Sequence, residues 1–254
     1  MVDDHTLYRW GRVIVATLRQ GVLAEFIGSM FLVVAAVAST ILSFNVLGAG
    51  LALSILMNAI AVALVLFALI ETLSPISGAH FNPAVTLAFL LTHDIDKKKA
   101  LAYIPAQFAG GFIGVVATHL MFFDIRPEML VVSGNFKTPA LYFAEFLGTF
   151  ILLGVIYGCV RGRSKHTSLS IGAVVGGMLI TTSSTMYANP VVTFARMFTY
   201  AICGIAPQSA LFFISAEVLG SVVAARTFGY LFPTRITRAI EQSQSVRSEP
   251  KVTD

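Results

Sequence analysis

Six stretches of this chain each hold about 20 mostly apolar residues, the length a helix needs to bridge the hydrocarbon core of a bilayer. They run near 20–42, 48–70, 100–123, 140–160, 168–187 and 208–231. Inside lipid every backbone N–H and C=O needs an internal partner, and a helix supplies it. The chain therefore reads as an all-α membrane protein with six transmembrane helices. Composition agrees, since 56% of the 254 residues are apolar and 12% are charged. A soluble domain carries about 25% charged residues and cannot hide so much apolar surface. Disorder and a secreted disulfide scaffold are excluded on the same grounds. Cys159 and Cys203 lie in apolar stretches and build no metal framework.

The formal charge of +4 comes from basic residues scattered between the apolar runs, not from a patch, so nucleic acid is not a partner. Their distribution sets the topology. With six spans, 14 of the 17 Lys and Arg fall on one side, from Arg9 and Lys97 to Arg161 and Lys251. The opposite side has Arg126 and Lys137, and Arg196 sits inside a short apolar segment. Both termini are expected in the cytoplasm, with the chain multi-pass in the plasma membrane. The polar head lacks a cleavable signal pattern. Residues 1–18 read as a cytoplasmic N-terminal segment, and 233–254, rich in Ser and Arg, as a disordered cytoplasmic tail.

The 19–232 region between them repeats itself. Ala24-Glu25-Phe26-Ile27-Gly28 returns as Ala144-Glu145-Phe146-Leu147-Gly148, 120 residues on. Asn82-Pro83-Ala84-Val85-Thr86 returns as Asn189-Pro190-Val191-Val192-Thr193, 107 residues on. Gln107 with Gly110 is echoed by Glu217 with Gly220. The copies, about 19–123 and 139–231, hold three spans each, so the second enters the membrane from the opposite face. An inverted repeat of this kind places a solute site near the midplane. The two Asn-Pro segments, 76–92 and 188–200, are too short to cross, and irregular backbone survives at that depth only against a cavity or protein. Asn caps a helix and Pro suits its first position. Each short segment therefore reads as a half helix that begins at its Asn-Pro, with the positive end of its dipole there.

These features resemble the aquaporin, or major intrinsic protein, family. The stretch Ser77-Gly78-Ala79-His80-Phe81-Asn82-Pro83-Ala84-Val85-Thr86 is very specific for it, and the likeness covers about residues 20–232. The resemblance implies a homotetramer in the lipid bilayer with one pore per subunit. It implies a pore midplane at Asn82, Pro83, Ala84, Asn189, Pro190 and Val191. It also implies that Glu25 and Glu145 accept hydrogen bonds from the loops leading to the half helices. Val191 stands where the family usually has Ala, and Glu217 where it has Gln. Gly28, Gly110, Gly111, Gly114 and Gly220 read as close helix contacts.

The family's constriction, counted onto this chain, gives Val62, Gly177, Met186 and Val192. The last is where the family has arginine. Arg196, one turn farther on, is left as either a secondary filter or a helix-end arginine. A lining this apolar suits neutral solutes larger than water. The stretch Tyr187–Arg196 resembles a microbial subgroup linked to arsenic resistance, in which valine also replaces the arginine. The expected function is a passive channel for metalloid hydroxides such as arsenite, for glycerol-like polyols, and for water. Two alternatives stand beside it: a water-selective aquaporin, and a proton-coupled carrier using membrane carboxylates such as Glu71 or Glu217. No phosphate loop, nucleophile elbow or metal signature occurs in a supporting context, so neither an enzyme, a metal nor a cofactor is expected.

Overall fold

The computed structural model describes residues 16–234, and every regular element among them is helical. Most of the proposed terminal segments, residues 1–15 and 235–254, lie outside the described residues. The first helix, α1 (Leu18–Thr40), opens on a capping box: the Thr17 hydroxyl accepts from the Gln20 N–H, and the Gln20 side chain accepts from the Thr17 N–H. It runs on through a π-helical turn, Ile41–Val46. Next come α2 (Leu51–Ser77), the half helix α3 (Pro83–Leu91) and α4 (Lys97–Met121). The second half repeats the order: α5 (Pro139–Arg161), α6 (Thr167–Thr181), the half helix α7 (Pro190–Ala195) and α8 (Pro207–Leu231).

Five described helices are long and apolar enough to cross a membrane, while α6 has 15 residues. At 1.5 Å per residue it spans about 22 Å, short of the ~30 Å core. The apolar run to residue 187 therefore does not stay helical. Its helix stops where Thr182-Ser183-Ser184-Thr185 begins. The Thr182 hydroxyl donates to the Met178 carbonyl at 2.7 Å and accepts from the Met186 N–H at 3.0 Å, taking over backbone bonding. Met186, Tyr187 and Ala188 then continue inward, buried. Lipid-exposed chain could not do this, but chain walled by protein can.

Packing follows the repeat. α1 lies on α4 and α5 on α8, and α2 meets α6 across the pseudo-twofold. Each half helix also reaches into the other repeat, α3 onto α8 and α7 onto α4. Close approach explains Gly110: a Cβ there would stand 2.2 Å from the Phe26 carbonyl oxygen. Its repeat mate Gly220 faces the Phe146 carbonyl in the same way, at 2.7 Å.

Candidate functional site

Asn82 and Asn189 cap their half helices from extended backbone. The Asn82 Oδ1 accepts from the Ala84 N–H at 2.8 Å, and the Asn189 Oδ1 from the Val191 N–H at 3.0 Å. Each carboxamide then crosses to the other repeat. Asn82 Nδ2 donates to the Ala188 carbonyl at 2.8 Å, and Asn189 Nδ2 donates to the Phe81 carbonyl at 2.9 Å. An amide nitrogen carries two hydrogens, so each Asn keeps one N–H beyond this reciprocal tie. Both residues line one internal cavity. Pro83, Ala84, Pro190 and Val191 are buried behind it and build the helix starts. The bulk of Val191 is housed by a glycine, since its γ-methyl lies 2.3 Å from where a Gly111 Cβ would be.

Phe81 and Ala188, the residues before each Asn, have φ of 48° and 44°. Left-handed backbone costs a non-glycine residue about 1–3 kcal/mol and persists only where the surroundings hold it. Here two fully buried carboxylates do so. Glu25 accepts from the Phe81 N–H (2.7 Å), the His80 N–H (2.9 Å), the Ser77 hydroxyl (2.6 Å) and Gln107 Nε2 (2.7 Å). Glu145 accepts from the Ala188 N–H at 2.7 Å and the Tyr187 N–H at 3.0 Å. The repeats differ at the third partner. Gln107 Nε2 donates to both Glu25 and Thr86, whereas Glu217 accepts from the Thr193 hydroxyl at 2.6 Å.

The cavity has a volume of about 480 Å³. One wall is apolar: Val62, Leu66 and Ile70 of α2, Leu152 and Ile156 of α5, and Ile171, Val175 and Leu179 of α6. Facing it are Asn82, Asn189 and the backbone of the two re-entrant loops. Arg163, Ser164 and Lys165 ring the mouth at the basic end, where the Ser168 hydroxyl donates to Glu71. His80 also lines the space, with Nδ1 3.0 Å from the Thr86 hydroxyl.

Of the four counted constriction residues, Val62, Met186 and Val192 line the cavity. Gly177 does not. It is exposed on the outer face of α6, and a Cβ built there meets nothing within 4 Å. Counting back from Asn189 assumes a fixed length between helix and motif, and the early end of α6 breaks that assumption. Val175 and Leu179 take the inward face instead, four residues apart as one helix face requires. Arg196 is brought to the cavity as well, at 2% exposure and with its guanidinium carbon 4.0 Å over the Tyr187 ring. The composition of a membrane span does not distinguish its inward face, so the sequence alone did not identify Val175 and Leu179. Outside the spans, burial pushes the Lys137 ammonium below its ordinary value, and the Arg196 charge acts in the same direction.

Replacing Asn189 with Ala removes a helix cap and leaves the Phe81 carbonyl unmatched, together about 2–4 kcal/mol. We expect thermal unfolding in detergent at a clearly lower temperature than wild type, with solute flux per folded subunit reduced. A variant with wild-type melting would show that the reciprocal tie contributes nothing.

Paired half helices meeting N-terminus to N-terminus inside a six-helix inverted repeat, beside an internal cavity, define a membrane pore protein of the re-entrant-helix class. The family model described as Major intrinsic protein matches residues 13–188, and the chain belongs to that family. Among relatives, the chain is 37% identical over 210 residues to the aquaglyceroporin AqpS of Rhizobium meliloti, covering 82% of this chain and 88% of that one. It is 31% identical over 167 residues to the glycerol uptake facilitator protein-like 6 of Lactiplantibacillus plantarum, covering 62% and 73%. The X-ray structure of the aquaglyceroporin from Plasmodium falciparum superposes with a TM-score of 0.64 at 20% identity, over 89% of this chain and all of that one, a likeness of fold. The family match stops one residue before Asn189, where the departures from the usual pattern begin.

Proposed function

We propose that this protein is a passive channel for small neutral solutes: glycerol-like polyols, metalloid hydroxides such as arsenite, and water. The observation that carries this reading is the two-sided cavity. A solute with carbon on one edge and hydroxyls on the other can lay the first along Val62, Leu66 and Leu179 and turn the second to Asn82 and Asn189. Shedding water then costs little, because the polar edge keeps its hydrogen bonds. The relatives named for glycerol, together with Val192 at the counted filter position, point the same way. The subunit works in a homotetramer spanning the plasma membrane, with both termini cytoplasmic. A channel is preferred over a coupled carrier because Glu25, Glu145 and Glu217 lie off the cavity lining, and Glu71, which does line it, sits at the mouth accepting from the Ser168 hydroxyl. The test is stopped-flow light scattering of proteoliposomes in sucrose, glycerol and arsenite gradients, with and without a protonophore. Glycerol and arsenite flux well above empty liposomes and indifferent to the protonophore supports the reading. Water flux alone, or solute flux that collapses with the proton gradient, overturns it.

A further inference from the structure

At its basic end the cavity opens between α2 and the connection from α5 to α6. The rim carries Arg163, Ser164 and Lys165 from that connection, Ser168 from α6, and Glu71 and Ser74 from α2. The connection is pinned to α5. The Gly162, Arg163 and Ser164 N–H groups donate back to the Gly158, Val160 and Cys159 carbonyls at 3.0, 3.2 and 2.8 Å. The Thr167 hydroxyl then donates to the Ser164 carbonyl at 3.0 Å, which fixes the approach to α6.

The backbone is held, but its two cations are not spent. Arg161, two residues earlier, donates to the Gly229 and Phe232 carbonyls and to Asp94. Arg163 and Lys165 are exposed, and their side chains make no hydrogen bond or ion pair among the described residues. Glu71 is the carboxylate on the rim, and it accepts from the Ser168 hydroxyl. Membrane topology explains why basic residues gather on this face. It does not explain their place on a cavity rim, since Lys97 and Lys98 share the face and line no part of the cavity.

Cations in that place concentrate anions at the opening. The interior asks for something else, a molecule with carbon on one edge and hydroxyls on the other. A small polyol carrying a phosphate answers both ends. A phosphate monoester bears about −1.5 to −2 charges at pH 7, which suits the rim. Its polyol end suits the apolar wall and the two Asn residues. The dianion cannot follow inward, because Ile70, Leu66 and Val62 continue the wall along α2 and burying an unpaired charge is costly.

We infer that Arg163 and Lys165 form a binding site for the phosphate of a small phosphorylated polyol, which seats its polyol end in the cavity and obstructs it. The inference rests on the channel reading above and deepens it. The face is the one read as cytoplasmic. Phosphoryl transfer to a polyol that has entered makes such an ester there, so accumulated product throttles further entry.

Flux and binding are read separately. Stopped flow follows glycerol entry into proteoliposomes holding glycerol 3-phosphate on both faces, so that orientation in the bilayer does not matter. For a millimolar site, about 10 mM ester leaves roughly a tenth of the flux, while chloride at equal ionic strength leaves it whole. Inorganic phosphate lacks the polyol end and should need a several-fold higher concentration. Each variant is compared with its own flux without ester. Arg163→Gln combined with Lys165→Gln should abolish the block. Glu71→Gln removes a repelling carboxylate and should lower the concentration needed by about fivefold, the scale of one charge pair in water. Calorimetry on the detergent-purified proteins reads binding of the ester without any flux. Wild-type flux equal to that of empty liposomes refutes the channel reading, while binding that follows the same order of variants still supports the site. Absence of binding, absence of block in a conducting protein, a block unchanged in the double variant, or equal block by inorganic phosphate overturns the inference.

Discussion

Placing arginine at Val192 will lower the ratio of glycerol to water flux by about tenfold or more, the scale set by one or two charge-assisted hydrogen bonds. Val192 borders the cavity from α7, four residues before Arg196, which begins the 3-10 turn after that helix, so the new side chain enters the space a solute uses. A guanidinium takes up volume there and binds water oxygens through donors valine lacks. It also meets Arg196. Two like charges about 4 Å apart repel by roughly 1 kcal/mol in water and about 4 kcal/mol at the effective dielectric of a protein surface. Val192→Arg alone should therefore melt at a lower temperature than wild type. Adding Arg196→Met moves the arginine by one turn, and this double variant should recover stability while keeping the low ratio. The measurement is stopped-flow shrinkage in glycerol and sucrose beside scanning fluorimetry. A folded Val192→Arg protein with an unchanged ratio would mean that Val192 does not border the narrow part of the path.

Much of this architecture is legible in the sequence, and the reasons are physical. Apolar run length reports membrane crossing because lipid leaves the backbone few options. The duplicated Asn-Pro motif reports the half helices because capping is a local property of two residues. Gly177 shows where such reading stops. Its place was inferred by counting through a connection whose length is set by the hydroxyl run after Thr181, and the count landed on the outer face of α6. Arg196 shows a second limit. Sequence placed it near the second half helix, but its stacking on Tyr187 joins a loop residue to a helix end, a tertiary contact without a spacing signature. The same holds for the reciprocal Asn tie, whose partners are 106 and 108 residues apart.

The other large effect is expected at Glu25. Glu25→Ala removes the shared acceptor of four donors: the buried His80 and Phe81 N–H groups, buried Gln107 Nε2, and the half-buried Ser77 hydroxyl. At about 1–3 kcal/mol for each unsatisfied group, the sum rivals the ~5–15 kcal/mol that holds a whole domain together. It also frees the left-handed backbone at Phe81 that the carboxylate restrains. No monodisperse protein should be recovered. Glu145→Ala strands two donors, the Tyr187 and Ala188 N–H groups, and should give a folded protein with a lower melting temperature. Yield by size-exclusion chromatography and melting by scanning fluorimetry separate the two outcomes. Equal yields from both variants would show that donor count does not govern this fold.

That inequality between the two carboxylates has a bearing on the order in which the molecule is made. The side chains of the first repeat that grip the first loop, Glu25, Ser77 and Gln107, have left the ribosome once α4 is complete. The carbonyl that Asn82 binds belongs to Ala188 and does not yet exist. The early repeat can thus shape its loop unaided and wait, a half-built gate with one amide unclaimed. The late repeat, with its thinner set of supports, arrives at a partner already in form and is completed by it. Only when α8 follows, and Ser221 donates to the Ala84 carbonyl at 2.6 Å, is the first half helix covered from behind. The order of synthesis thus treats the two repeats unequally although the finished architecture is nearly symmetric: the leading half carries most of its own loop supports, and the trailing half brings the contacts that complete both.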